Sequence, residues 1–112
     1  MQLSDQKILE NNLLIQNYLG YYELDINKEY HNSYSLLMEV FNKINNRDLM
    51  SIHKNSCRII SANTCLISQE NVFREFDPII IENKNKPVIY CIYFAVIKYL
   101  KWLKNNHPEE FV

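Results

Sequence analysis

Three side chains able to ligate a soft metal or act as nucleophiles, His53, Cys57 and Cys65, lie close together in the sequence. A structural zinc site needs four ligands converging on one point, usually from pairs two to four residues apart. These three supply no such pair. If residues 57–61 and 64–68 form a hairpin turning at Ala62 and Asn63, Ile60 faces Cys65 while Cys57 points to the opposite side of the sheet. The two thiols then share neither an ion nor a disulfide, and they read as small apolar core residues. A catalytic thiolate needs an identifiable activating partner, and the spacing defines none.

A second cluster is Tyr30, His31, Asn32, Ser33 and Tyr34, a titratable imidazole, polar caps and two rings at the start of a helical pattern. Unpaired amides and the helix dipole favour an anion there, which makes Tyr30, His31, Ser33 and Tyr34 a polar-site candidate. The simpler reading has Asn32 or Ser33 capping the helix, Tyr34 packing its ring and His31 bonding a backbone carbonyl. Third, Lys98, Lys101 and Lys104 recur every third residue near Tyr90 and Trp102. Cations interleaved with aromatics can stack bases. Without a second basic element, three lysines on a helix read as a solvated face.

No G-x-S-x-G, P-loop or G-x-G-x-x-G occurs, and a chain with one glycine has little means of building a phosphate-cradling loop. The adjacent carboxylates Glu109 and Glu110 sit in a tail. No catalytic, cofactor-binding or metal-ligating residue is assigned, and the sequence points away from an enzyme.

Composition sets the outer limits. The 112 residues form one domain, large enough to bury a single core. A hydrophobic fraction of 47% with 22% charged residues is ordinary for a globular chain. The net charge of -1 lacks the basic footprint of a nucleic-acid binder. Three cysteines, an odd number, together with an N-terminus too polar for a secretory signal, imply a reduced cytoplasmic protein.

The elements that must position these residues follow from period and punctuation. Ser4 is an N-cap signal for a helix over 5–19, with Ile8, Leu9, Leu13, Ile15, Tyr18 and Leu19 on its apolar face and Gly20 as its stop. Residues 21–26 suit a short strand. The second helix carries Leu36, Leu37, Val40, Phe41 and Ile44 on one stripe and ends at residues 45–47. From Met50 the period shortens, and the runs at 50–53, 57–61, 64–68 and 78–81 read as an antiparallel meander of three or four strands. Pro78, without an N–H, belongs at the start or on the edge of its strand. Residues 68–76 read as a loop or turn.

The third helix, residues 86–106 with Asn85 and Pro87 at its start, is the element on which the others are expected to pack. Val88, Ile92, Ala95, Val96, Tyr99 and Leu103 form its core stripe. In its first half the far side is apolar as well, with Tyr90, Tyr93, Phe94 and Ile97. The apolar run 88–97 is about half the roughly 20 residues a bilayer requires, so no membrane span is expected. Either the rest of the chain covers that second face, or it is a surface for self-association or for a partner protein. Residues 107–112 are expected to be a frayed tail.

Two strings carry a family resemblance. Residues 31–44 match the pattern H-x-S-[WY]-x-x-L-M-x-V-x-x-K-I, and residues 95–102 match A-V-[VI]-x-[FY]-[IL]-x-W. Together they resemble a family of small proteins from Bacteroidetes genomes and their phages that carries no established activity. The resemblance implies the order of elements and a bacterial or phage setting. This chain departs from the pattern at Ser35 or Leu36, where relatives often carry Trp, and at Leu103, where they often carry Tyr.

The expected fold is α+β, with three helices and a small antiparallel sheet in the order helix, strand, helix, meander, helix. The expected function is a non-enzymatic protein-interaction module, a homodimer or a binder of another protein. A nucleic-acid-associated accessory protein is the alternative, followed by an enzyme with an unrecognised site.

Overall fold

A computed structural model describes residues 4–66 and 72–111. Helix α1 spans Asp5–Leu19, α2 Tyr34–Asn45 and α3 Val88–Asn106, with five strands between the last two: β1 Leu49–His53, β2 Ser56–Ile60, β3 Thr64–Leu66, β4 Val72–Arg74 and β5 Ile79–Glu82. The architecture is α+β.

The caps of the first two helices are those the sequence encodes. Ser4 accepts from the Lys7 amide and Ser33 from the Leu36 amide. Gly20 closes α1 in the left-handed region at φ 86°, where the absence of a Cβ removes the steric cost. Pro87, extended, precedes α3 without a side-chain cap, and Asn83 rather than Asn85 folds the link by accepting from the Asn85 amide.

The sheet differs from a simple meander. β1, β2 and β5 form a three-stranded antiparallel sheet in that order, and β3 pairs with β4 in a separate two-stranded sheet. The turn after β2 therefore does not return onto it: Ile60 faces Leu49, and Cys65 faces Phe73. The expected Ile60–Cys65 hairpin is replaced because β2 gains two strand neighbours by pairing with β1 and β5. Val72–Arg74, expected as loop, is strand; residues 67–71 lie outside the described residues. Pro78 immediately precedes β5, an edge strand, as its missing N–H requires.

Residues 21–26 contain no strand. Tyr22, Leu24 and Ile26 are exposed, and no partner strand is offered. Instead, the buried Gln16 amide clamps the Asp25 backbone, donating to its carbonyl at 2.8 Å and accepting from its amide at 2.7 Å. The inner face of α1 is correspondingly polar: Asn11, Asn12 and Gln16 are buried beside Ile15 and Tyr18, whereas Leu9 is exposed.

α3 is the centre of the molecule. Cys91, Ile92, Ala95, Val96, Tyr99, Leu100 and Leu103 are buried, meeting Met50, Cys57, Ile59 and Ile79 from one sheet face and Leu37, Val40 and Ile44 from α2. The C-terminal segment is not frayed. Pro108–Glu110 forms a 3₁₀ turn, and Phe111 rests on the Tyr18 ring with centroids 5.5 Å apart. A large apolar ring near the end of the chain gains more by covering Tyr18 than by staying in water.

Backbone polarity along the sheet is fixed by two side contacts. The Met50 amide donates to Asn45 Oδ1 at 2.9 Å, so Met50 turns its backbone groups away from β2. The Asn83 amide donates to the Asn55 carbonyl at 3.1 Å, extending the β2–β5 ladder. In an antiparallel ladder, inward and outward residues alternate. Ile79 and Ile81 thus bond toward β2, and Ile80 and Glu82 present their backbone groups at the free edge of β5.

Candidate functional site

The second face of α3 is only partly covered. Tyr93, 2% exposed, belongs to the core, which corrects its assignment to an interaction surface; Ile97, 4% exposed, is packed in the core and reaches the surface only as part of a cleft beside Phe94. Tyr93 is drawn in because Asn12 of α1 offers its hydroxyl an acceptor at 2.9 Å, and its ring meets His31 edge-on at 5.9 Å. Burial pushes the Tyr93 phenol up to about 12. Tyr90 and Phe94 remain half-buried, stacked on each other at 4.5 Å.

Beside Phe94 the chain leaves a cleft of about 240 Å³, lined by Asn11 of α1, Ile81 of β5, and Phe94, Ile97, Lys98 and Lys101 of α3. Its floor is aliphatic and aromatic, and its rim carries two exposed lysines. Among the described residues no carboxylate lies within ion-pairing distance of Lys98 or Lys101. An apolar floor with unpaired cations at its edge can take a ligand that is apolar in the middle and anionic at its border.

The polar cluster at the start of α2 is dispersed by the fold. Tyr30 is fully buried, with no hydrogen-bond partner for its hydroxyl among the described residues. His31 Nδ1 lies 3.2 Å from Asn12 Nδ2, Ser33 caps α2, and Tyr34 is exposed. The four do not converge on one point. His31 does join Tyr93 through Asn12, a link between two sequence-distant candidates that no spacing rule could reveal.

The densest ionic network was not visible in the sequence. Asp48, 1% exposed, accepts from Arg47 Nη1 and from the Tyr99 hydroxyl at 2.6 Å each through Oδ2, and from the Ala62 amide at 3.0 Å through Oδ1. Arg47 also reaches Glu75 at 3.0 Å and Glu110 at 3.8 Å, and lies over the Trp102 ring at 5.5 Å. Burial alone would lower the Arg47 pKa, but the hydrogen bonds to Asp48 and Glu75 raise it above its ordinary value. His107 closes the ring 3.6 Å from Glu75 and 3.3 Å from Glu109. These groups satisfy one another and fasten both ends of the β3–β4 excursion and the C-terminal turn onto α3. The chemistry of the network is structural.

Cys57 is buried beside Cys91, and burial, reinforced by that neighbour, pushes its thiol up to about 12. Such a thiol is protonated and unreactive at neutral pH. Among the described residues no group of three His, Cys, Asp or Glu side chains is placed to hold a metal ion, and no helix is long and apolar enough to cross a membrane. No protein-family model matches the chain, and neither the curated proteins nor the solved structures contain a match.

Proposed function

We propose that this protein is a small non-enzymatic interaction module that docks a partner protein on the flank formed by α3 and β5. One observation carries the reading: Phe94 and Ile81 stay partly open beside a cleft whose rim holds two lysines with no carboxylate partner among the described residues. In a chain this small, apolar surface left uncovered beside an otherwise closed core is best accounted for by a partner that covers it. The bacterial or phage setting implied by the helix motifs belongs to the same proposal.

The test compares wild type with a Lys98→Glu/Lys101→Glu variant as immobilised bait in native lysate treated with nuclease. Both lysines are exposed, so the variant keeps the fold, which circular dichroism checks. A protein retained by wild type and lost from the variant supports docking at the cleft. Retention indifferent to the two charges sinks it, and retention abolished by nuclease in wild type would favour the nucleic-acid reading instead.

Self-association is a second reading with its own observation. The helices cover one face of the three-stranded sheet, and on the other Leu49, Ile60 and Ile80 are 59%, 40% and 49% exposed. Leu49 is directly opposite Ile60, and Ile80, opposite Arg58, lies diagonal to Ile60 on the same face. Light scattering at rising concentration should give twice the 13.5 kDa chain mass if two such faces pair. Ile60→Lys should return it to one chain, and a wild type that stays at 13.5 kDa ends this reading.

A further inference from the structure

Resting on the docking reading above, we propose that the cleft receives an extended acidic peptide segment of a partner protein. The segment adds as a fourth strand to the free edge of β5 and seats an aliphatic side chain between Ile81, Phe94 and Ile97. Its carboxylates meet Lys98 and Lys101.

Three observations converge on this occupant. The first is the edge. Ile80 and Glu82 direct backbone donors and acceptors away from β2, and among the described residues β5 has no strand on that side. The opposite edge is less available, because Asn45 already takes the Met50 amide of β1. The second is register. Ile81 shares the inner sheet face with Ile52 and Cys57, its partners across the ladder. A strand added about 4.8 Å beyond β5 continues that row, and the next side chain in it enters the cleft that Ile81 and Phe94 border. Main-chain pairing then supplies affinity, and the cleft selects one side chain in every second position.

The third observation is charge. Lys98 and Lys101 lie one helical turn apart on the α3 wall with no carboxylate among the described residues in reach. The nearest acid on β5, Glu82, shares the outer sheet face with Ile80, opposite to Ile81, and does not line the cleft. A neutral or basic segment would leave both ammonium groups unpaired. Asn11 of α1 closes the far wall with an amide, a group that hydrogen-bonds a peptide without demanding charge.

The experiment uses the full chain as bait for phage-displayed random dodecapeptides, followed by amide exchange on the isotope-labelled chain with a synthetic copy of the best binder. Selected sequences should carry Asp or Glu two residues to either side of an aliphatic residue, because only every second side chain of the added strand faces α3. The peptide should slow exchange at Ile80 and Glu82 while leaving Ile52 on β1 unchanged. It should bind Lys98→Glu/Lys101→Glu about tenfold more weakly, the combined effect of two exposed ion pairs lost and reversed. Failure to select binders, helical binders, or protection at Ile52 in place of Ile80 would overturn the proposal. So would decanoate, a medium-chain amphiphile, shifting the Phe94 and Ile97 signals when no peptide does. If the double variant loses its lysate partner yet no peptide protects β5, docking at the cleft stands and the extended peptide falls. If neither partner nor peptide responds to those lysines, both readings fall.

Discussion

Replacing Asp48 by Asn removes one charge and changes almost no volume, yet it should be among the most damaging single changes in the chain. Oδ2 receives hydrogen bonds from Arg47 and Tyr99, and Oδ1 from the Ala62 amide. An amide has only one acceptor atom. With its oxygen toward Ala62, its NH₂ faces the Arg47 guanidinium, donor against donor. Flipped, it leaves the Ala62 amide facing a donor. Breaking one side of a buried ion pair costs about 3–5 kcal/mol. Here Arg47 is itself 19% exposed and keeps Glu75, which shifts that range down by about 1 kcal/mol, to about 2–4 kcal/mol. For a domain of this size each kcal/mol lowers Tm by about 4 °C, giving a fall of about 8–16 °C. Thermal melts followed by circular dichroism and by the single tryptophan, Trp102, would measure it. Glu109→Gln, at an exposed carboxylate, serves as the control and should leave the melting midpoint essentially unchanged. Asp48→Asn combined with Tyr99→Phe should be less than additive by at least about 0.5 kcal/mol, since both remove the same hydrogen bond. A loss below about 1 kcal/mol for Asp48→Asn, or strict additivity, would refute the account of Asp48 as the node joining α3 to the β3–β4 excursion.

Tyr30→Phe should stabilise the fold by about 1 kcal/mol in urea titration, because it deletes a buried hydroxyl that has no partner among the described residues; a loss would mean that the hydroxyl is satisfied. Gly20→Ala should cost about 1 kcal/mol by forcing a Cβ into the left-handed C-cap of α1, and an unchanged midpoint would count against that cap geometry. Stability should be level from neutral pH to about pH 8 and fall as pH passes about 9. Burial raises Cys57 from 9.0 and Tyr93 from 10.0 to about 12 each, so the unfolded chain releases these protons first and binds fewer than the folded one between those values. Tyr18, Tyr30 and Tyr99 are raised in the same direction, chiefly by burial. Each such group tilts the balance by about 1.4 kcal/mol per pH unit once its unfolded form titrates, and urea midpoints at pH 7, 9 and 10.5 would show the slope or its absence. For the same reason Cys57 should resist Ellman's reagent at pH 8 until the chain unfolds.

Helices were legible where periodic apolar residues met strong punctuation. Ser4 and Gly20 bound α1, Ser33 bounds α2, and the lysine stripe separates the wet side of α3 from its core stripe. The face of α1 was not legible in the same way. Asn11, Asn12 and Gln16 look solvent-facing by type, yet each is buried, and hydrogen bonds tie Asn12 to Tyr93 and Gln16 to Asp25. A polar residue goes inside when a distant group completes its hydrogen bonds, and that group is not encoded nearby. The candidate surface on α3 was half legible. The excess of apolar side chains at 90–97 marked the right element, but which of them stay accessible depended on where α1 and β5 settled.

Taken alone, the sequence determined the α+β class, the three helices with the caps of the first two, and an apolar third helix at the centre, because these depend on local period and on the conformational freedom of single residues. Strand pairing was decided by the tertiary structure. β2 could have turned back on residues 64–66, but the neighbours β1 and β5 bring it into the packed layer against α3. The same long-range choice assembled Arg47, Asp48, Glu75, Tyr99 and His107 into one network. It also left β5 as an edge strand beside Lys98 and Lys101, since which strand lies at an edge depends on pairing between segments far apart in the sequence.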